Sequence, residues 1–293
     1  MTKTSITKAP TSNSPTLDLQ KQLKQLQRHP EVIVGLVVVV AWCLLAIFAP
    51  LIAPFDPLEQ NIPDRLQTPN STYWLGTDEL GRDIFSRVLY GGRITIPAGL
   101  AVIVIDGILG WLIGAVAGYL GGIWDEIMMR LTELFMAFPT IILAMAITAA
   151  LGPSIRNAVL ALVIVRWPNY ARLTRGLIIE VKTNDYVEAA KGLGAKAPYL
   201  LFKTLLPNSI APTVVYGTLD IGNAILIFAG LSFLGLGPEP ASPEWGRMIS
   251  IGIDFFDQWW MWLFPGLAIA SLVMAFNFIG DGLRDMLDPR LGS

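Results

Sequence analysis

"DYVEAAKGLGAKAPYLLFKTLLPN" (residues 185–208) stands between two long apolar runs and carries Asp185, Glu188, Lys191, Lys196 and Lys203. A loop that only reconnects two helices needs a handful of residues, so roughly thirty residues of polar and amphipathic character here are a surplus. The surplus has helical signals of its own. Asp185 followed by Glu188 has capping-box-like spacing, and Val187, Ala190, Leu193 and Gly194 would share one small-residue face on the helix that follows. A face of that kind can enter a groove of another protein closely. After Pro198, "YLLFKTLLP" predicts a second helical piece, with Tyr199, Phe202, Leu205 and Leu206 available for packing and Pro207 closing it.

The flanks decide what this segment is attached to. The chain is 53% hydrophobic and only 15% charged, with a mean hydropathy of +0.55, values that belong to a membrane protein. A spanning helix needs about twenty predominantly apolar residues. Six runs meet that length: 32–53, 94–119, 127–151, 155–177, 210–234 and 258–279. The fourth contains Arg166 and Pro168, and the fifth contains Asp220. Residues 1–30 form a polar tail whose "LDLQKQLKQLQRHPE" suits a short amphipathic helix on the membrane surface, and residues 31–293 form the membrane domain, with a loop over about 180–208. The run after the tail is too long for a secretory signal. If the N-terminus is cytoplasmic, fourteen Lys and Arg residues fall inside and six outside, so the positive-inside rule puts both termini and the 185–208 segment in the cytoplasm. Trp259, Trp260 and Trp262 would then form an outer aromatic belt.

Composition and motifs also exclude chemistry. A formal net charge of −2 and a pI near 5.5 argue against a nucleic-acid partner. One cysteine, Cys43, and one histidine, His29, leave too few soft ligands for a disulfide framework or a transition-metal site. There is no Gly-x-x-x-x-Gly-Lys-Ser/Thr run for a phosphate cradle and no Ser, His and acid set for hydrolysis. "GTDELGRDIFSR" clusters Asp78, Glu79 and Asp83 near Arg82 and Arg87. Mutual salt bridging in an outer element, with Thr77 or Asp78 capping a short helix, competes there with contact to a docked protein. Three charges fall near predicted helix centres: Asp106, Arg166 and Asp220. Insertion of a charge there costs at least about 2.5 to 3.5 kcal/mol, so such residues face a bundle interior or water. They would either pair to hold helices together or line a translocation path.

Glu188, Ala189, Ala190, Gly194, Leu206 and Pro207 together resemble the EAA loop of ABC importer permeases, with Thr204 where that pattern usually has isoleucine. "LGTDELGRDIFSRVLYGGR" (75–93), "MAFPT" (136–140), "LSFLGLG" with "PEWGRMI" (within 231–249) and "GDGLRDMLDPRL" (280–291) look like the peptide and nickel importer permease family, and more narrowly its second permease subunit. The resemblance runs from about residue 44 to the C-terminus. It implies an all-α permease of the type I ABC importer fold with six transmembrane helices in a prokaryotic plasma membrane. The implied partners are a second homologous permease, two ABC ATPases and an extracytoplasmic substrate-binding protein, with the surrounding lipid. ATP and Mg would sit on the ATPases, and no cofactor on this chain. The implied ATPase-coupling residues are Asp185, Glu188, Ala189, Ala190, Gly194, Leu206 and Pro207. The expected cargo is di- or oligopeptides, with nickel or a nickel chelate as the alternative. A channel or secondary transporter would need no ATPase, and a membrane enzyme would need a nucleophile or metal set that is missing.

Overall fold

The computed structural model describes residues 30–287, so the tail over 1–30 lies outside the described residues apart from Pro30. Among the described residues there is no β-strand, only one isolated bridge between Thr77 and Asp83. The chain begins with α1 (Pro30–Ile47) and the one-turn α2 (Ala49–Ile52). α1 is almost wholly apolar, and most of its large side chains are exposed, as suits a helix bathed by lipid tails.

An irregular segment then leads into α3 (Ile84–Leu120), 37 residues long. The apolar run begins only at 94 because Arg87 and Arg93 mask the first turns, yet Asp83 starts the helix by accepting a hydrogen bond from the Ser86 N–H at 2.8 Å. Asp83, not Thr77 or Asp78, is therefore the cap.

The third predicted span is not one helix. α4 (Gly122–Met136) and α5 (Thr140–Leu151) meet at 88°. Pro139 supplies no N–H and disfavours helical backbone at Phe138, which ends α4 there. α6 (Ile155–Lys182) follows, capped by Ser154, whose hydroxyl accepts from the Asn157 N–H at 3.1 Å. It is long enough to cross a membrane, but Arg156, Arg166, Arg172, Arg175, Glu180 and Lys182 keep it off the set of clearly apolar helices. Among the described residues four helices pass that test, or five with the bent pair counted as one span. With α6 at 28 residues counted beside them, the helices are consistent with the six expected spans.

α7 (Asp185–Gly192) and the single turn α8 (Ala197–Tyr199) lead through a π-helical turn, Leu200–Leu205, into α9 (Leu206–Phe233). Pro207 does not close the second piece as the sequence predicts. It sits in the first turn of α9, where no intrahelical N–H is required. The wide π turn, with Leu206 N–H donating to the Leu201 carbonyl, carries the helix through. α10 (Trp245–Asp254) and α11 (Trp260–Leu287) complete the described residues.

The bundle centres on α3 and α6. Gly110, Gly114 and Gly118 form a stripe on α3, and a Cβ at Gly114 would overlap the Ala171 backbone of α6. Small residues at a spacing of four let two helix backbones approach where lipid offers no hydrophobic drive to associate. A second apolar cluster joins α3, α10 and α11 around the fully buried Trp245. Trp260 belongs to this cluster and is 5% exposed, with its indole N–H donating to the Thr77 carbonyl at 3.0 Å. Of the expected aromatic belt, Trp259 alone is clearly exposed.

Candidate coupling segment and buried charge cluster

The 185–208 segment projects from one end of the bundle. Asn184, not Asp185, is the N-cap of α7; its carbonyl accepts from Val187 N–H at 2.9 Å, and it makes no side-chain cap bond. Asp185 occupies the first turn with Glu188, where negative charge suits the helix dipole. Val187 is the one buried residue of α7 and packs with Ala115, Ile178, Leu205 and Leu206. It therefore faces inward, and the expected face shared by Val187, Ala190, Leu193 and Gly194 does not form: Leu193 is 90% exposed. Glu188 and Ala189 are exposed and Ala190 is half-buried.

Gly194 ends α7 in the left-handed region at φ +85. Its N–H donates to Lys191 O at 2.9 Å, and Ala195 N–H donates to Ala190 O at 3.1 Å. This pair of bonds is a Schellman stop, which a residue with a Cβ adopts at a cost. A cleft of about 500 Å³ opens beside it, lined by Ala190, Leu193, Gly194, Ala195, Lys196 and Tyr199. Tyr199 and Phe202 are also exposed, whereas Leu205 and Leu206 are buried and Pro207 is exposed.

The segment's base is fixed. Lys182 Nζ donates to Tyr119 O at 2.8 Å and lies 5.6 Å from the Tyr119 ring centroid. Arg175 forks onto both Asp125 oxygens at 2.5 Å, tying α6 to α4.

The three central charges meet. Arg166 of α6 donates from Nη2 to Asp220 Oδ2 of α9 at 2.5 Å and from Nε to Asp106 Oδ2 of α3 at 3.3 Å. Asp106 and Arg166 are 0% and 2% exposed, and Asp220 is 9% exposed. Tyr170 Oη donates to Asp220 Oδ2 at 3.1 Å, and Asn223 Nδ2 donates to Asp220 Oδ1 at 3.2 Å. Sequence reasoning missed Tyr170 and Asn223. The signal was present: each lies on the same helix face as a charge, four residues after Arg166 and three after Asp220.

At the opposite end the charges of "GTDELGRDIFSR" pair among themselves. Arg82 contacts Asp78 at 2.6 Å and Glu79 at 2.8 Å, and Arg87 lies 3.5 Å from Asp78. Arg87 also donates to the carbonyls of Pro57 at 2.9 Å and of Ala241 and Ser242 at 3.3 Å. Arg82 and Arg87 are 2% and 1% exposed, so this is an interior clamp joining two loop segments to α3, not a surface feature.

Glycine-seamed helices, a sealed charge cluster and a helical segment left open at one end define a polytopic helical membrane permease. The chain belongs to the family described as "Binding-protein-dependent transport system inner membrane component", which matches residues 110–293, and the "N-terminal TM domain of oligopeptide transport permease C" matches residues 19–69. It is 45% identical over 273 residues to the "Probable D,D-dipeptide transport system permease protein DdpC" of Escherichia coli K12, covering 93% of this chain and 92% of that one. It is 43% identical over 275 residues to the "Dipeptide transport system permease protein DppC" of Alkalihalophilus pseudofirmus, covering 94% and 90%. The DppC of E. coli K12 is 43% identical over 298 residues, with 99% and 98% covered. Among solved structures, an inward-facing MetNI methionine ABC transporter matches with a TM-score of 0.50 at 20% identity, over 66% of this chain and 94% of that chain. That likeness bears on the fold alone.

Proposed function

We propose that this chain is the second permease subunit of an ATP-driven importer of di- or oligopeptides in a prokaryotic plasma membrane. Both termini and the 185–208 segment face the cytoplasm. It pairs with a homologous permease, takes its drive from two ATPases that bind ATP and Mg, and receives cargo from an extracytoplasmic binding protein. The dipeptide names of its relatives support the cargo.

The observation that carries the coupling role is α7 itself. It is anchored through Val187 alone and presents Glu188, Ala189 and Leu193 outward beside an open cleft. An ATPase groove that moves on nucleotide binding would carry α7 with it, and the π turn and α9 would pass that motion into the bundle. Asp185, Ala190, Gly194, Leu206 and Pro207 act as cap-region, stop and base of that lever.

Asp106, Arg166 and Asp220 act as an interhelical lock, because their charged atoms bond one another inside a single chain. Asp220→Asn would then lower the yield of assembled complex at least as much as uptake. A well-assembled variant that transports poorly would put the cluster on the path instead. The function is tested by competing dipeptides, longer peptides and nickel for uptake into vesicles holding the full complex, with ATP inside. Peptide uptake that stops with Gly194→Val is the expected result. Nickel uptake alone would change the cargo, and uptake indifferent to ATP would overturn the importer reading.

A further inference from the structure

At the end of the bundle opposite α7, residues 53–83 enclose a pocket of about 270 Å³. Its walls combine two carboxylates, Glu59 and Asp83, two amides, Gln60 and Asn61, and two rings, Phe55 and Tyr73, whose centroids lie 5.1 Å apart. Tyr73 is held in place by donating to Asp64 Oδ2 at 2.9 Å, while Asn61 Nδ2 donates to the same oxygen at 2.7 Å. Asp83 is 2% exposed; its Oδ2 accepts from Ser86, but its Oδ1 has no hydrogen-bond partner.

The local arginines do not answer these two acids. Arg82 is engaged by Asp78 and Glu79, and Arg87 by Asp78 and three carbonyls. No ion pair to Glu59 or Asp83 occurs among the described residues. A buried carboxylate oxygen without a donor is costly, and a cation beside an aromatic face with carboxylates at hand is the chemistry that relieves it. The adjoining loops add two exposed acids, Asp56 and Glu239. Arg87 Nη1 is shared between the Pro57 and Ala241 carbonyls, which sets the loops around Asp56 and Glu239 side by side. Neither stretch, 53–64 nor 234–246, contains a lysine or arginine, and the exposed Arg65 and half-buried Arg247 follow directly after them.

We propose that this pocket receives the head of one lysine or arginine side chain from a protein that docks on this end of the bundle. Its volume lies below the usual range of about 300 to 1,000 Å³ for whole ligands, so it fits one charged head and not a peptide. Exposed Glu59 on its wall, with Asp56 and Glu239 in the adjoining loops, favours approach of a basic side chain. The identity of that partner as the substrate-binding protein rests on the function proposed above; the cation preference of the pocket does not.

The test uses the full complex in lipid nanodiscs and n-butylguanidinium as the probe, read by calorimetry, with n-butylurea as the neutral shape control. Expected is saturable binding of the cation but not the urea, at least tenfold weaker in Glu59→Gln and in Asp83→Asn. Asparagine keeps an acceptor for Ser86, and the Glu59 side chain forms no hydrogen bond, so folding is spared in at least one variant. No binding to the wild type, or equal binding in both variants, overturns the pocket. A second arm measures association of the purified binding protein. Saturating butylguanidinium and Glu59→Lys should each weaken it at least tenfold. Association unchanged by both overturns the assignment to a partner's side chain. If the wild type neither imports peptide nor binds a receptor, the function fails, and the probe arm still decides the pocket.

Discussion

The two ends of the bundle solve the same problem in opposite ways. At the loop end, residues 53–83 and 234–258 lack regular structure over most of their length, yet their polar groups are largely satisfied within the chain: Arg87 clamps three carbonyls, Asp64 gathers Asn61, Gln67 and Tyr73, and Trp260 reaches back to Thr77. At the other end, α7 is regular but hardly packed, and it shows Leu193, Tyr199 and Phe202 to its surroundings. Order without a core of its own signals a surface completed by another molecule. Cross-linking by side chains signals a rigid platform. The contrast predicts that substitutions of the cross-linking residues at the loop end act on stability and substitutions at the α7 end act on coupling.

The largest effect should come from Arg87→Met. It removes the donor to three carbonyls and one partner of a buried acid, a loss of about 3 kcal/mol even though Arg82 still neutralises Asp78. Melting of the purified permease should fall by several degrees, and Arg87→Lys should recover part of it. An unchanged melting curve would show that the loop end is not a platform. Gly194→Val comes next. A β-branched residue at φ +85 costs about 1 to 2 kcal/mol locally, but nothing lies within 4 Å of the added Cβ. The melting temperature should therefore hold while ATP-driven uptake falls at least tenfold. Coupled loss of both would erase the distinction between the ends. Trp260→Phe removes the indole donor to Thr77 and part of the ring volume in a buried cluster and should cost about 2 kcal/mol, seen as a smaller shift than that of Arg87→Met in the same melting experiment.

How far such effects could be foreseen differs by residue. Each of the six apolar runs falls on a long helix or on the bent pair, because about twenty apolar residues in a row have few other uses. Hydropathy misplaced the start of α3, where Arg87 and Arg93 look like loop residues until Arg87 is seen inside a clamp. It also hid the 88° bend at Pro139, since both halves are apolar. Asp106, Arg166 and Asp220 stood out as charges in apolar runs, but their meeting depends on the rotation of three helices, which glycine packing sets and composition does not. The presence of a helix at α7 was legible from residue spacing. Its orientation was not, because Val187 turns inward only by virtue of Ile178 and Leu205 on neighbouring elements.

The smallest effect, and the finest test of the contrast, is on pH. Burial pushes the Glu244 carboxyl above the usual glutamate range, against the N–H groups of Gly246 and Arg247 and the Thr95 hydroxyl, which pull it down. Burial raises Glu79 and Asp83 in the same direction. An acid whose folded-state pKa lies above its unfolded value binds protons more tightly when folded. Its contribution is complete below the unfolded value, near 4.5 for Glu244, and is lost as pH rises through the folded one. Amide hydrogen exchange, corrected for its intrinsic pH dependence, should therefore show the loop end opening more readily as pH rises above the ordinary glutamate value of 4.5. Glu244→Gln lowers protection at every pH, because its amide N–H faces backbone donors, but it should flatten the slope. Protection that is level or rises with pH in the wild type would mean that the carboxyls of the platform are stabilised as anions, and the loop end would then owe its rigidity to charge pairing and not to burial.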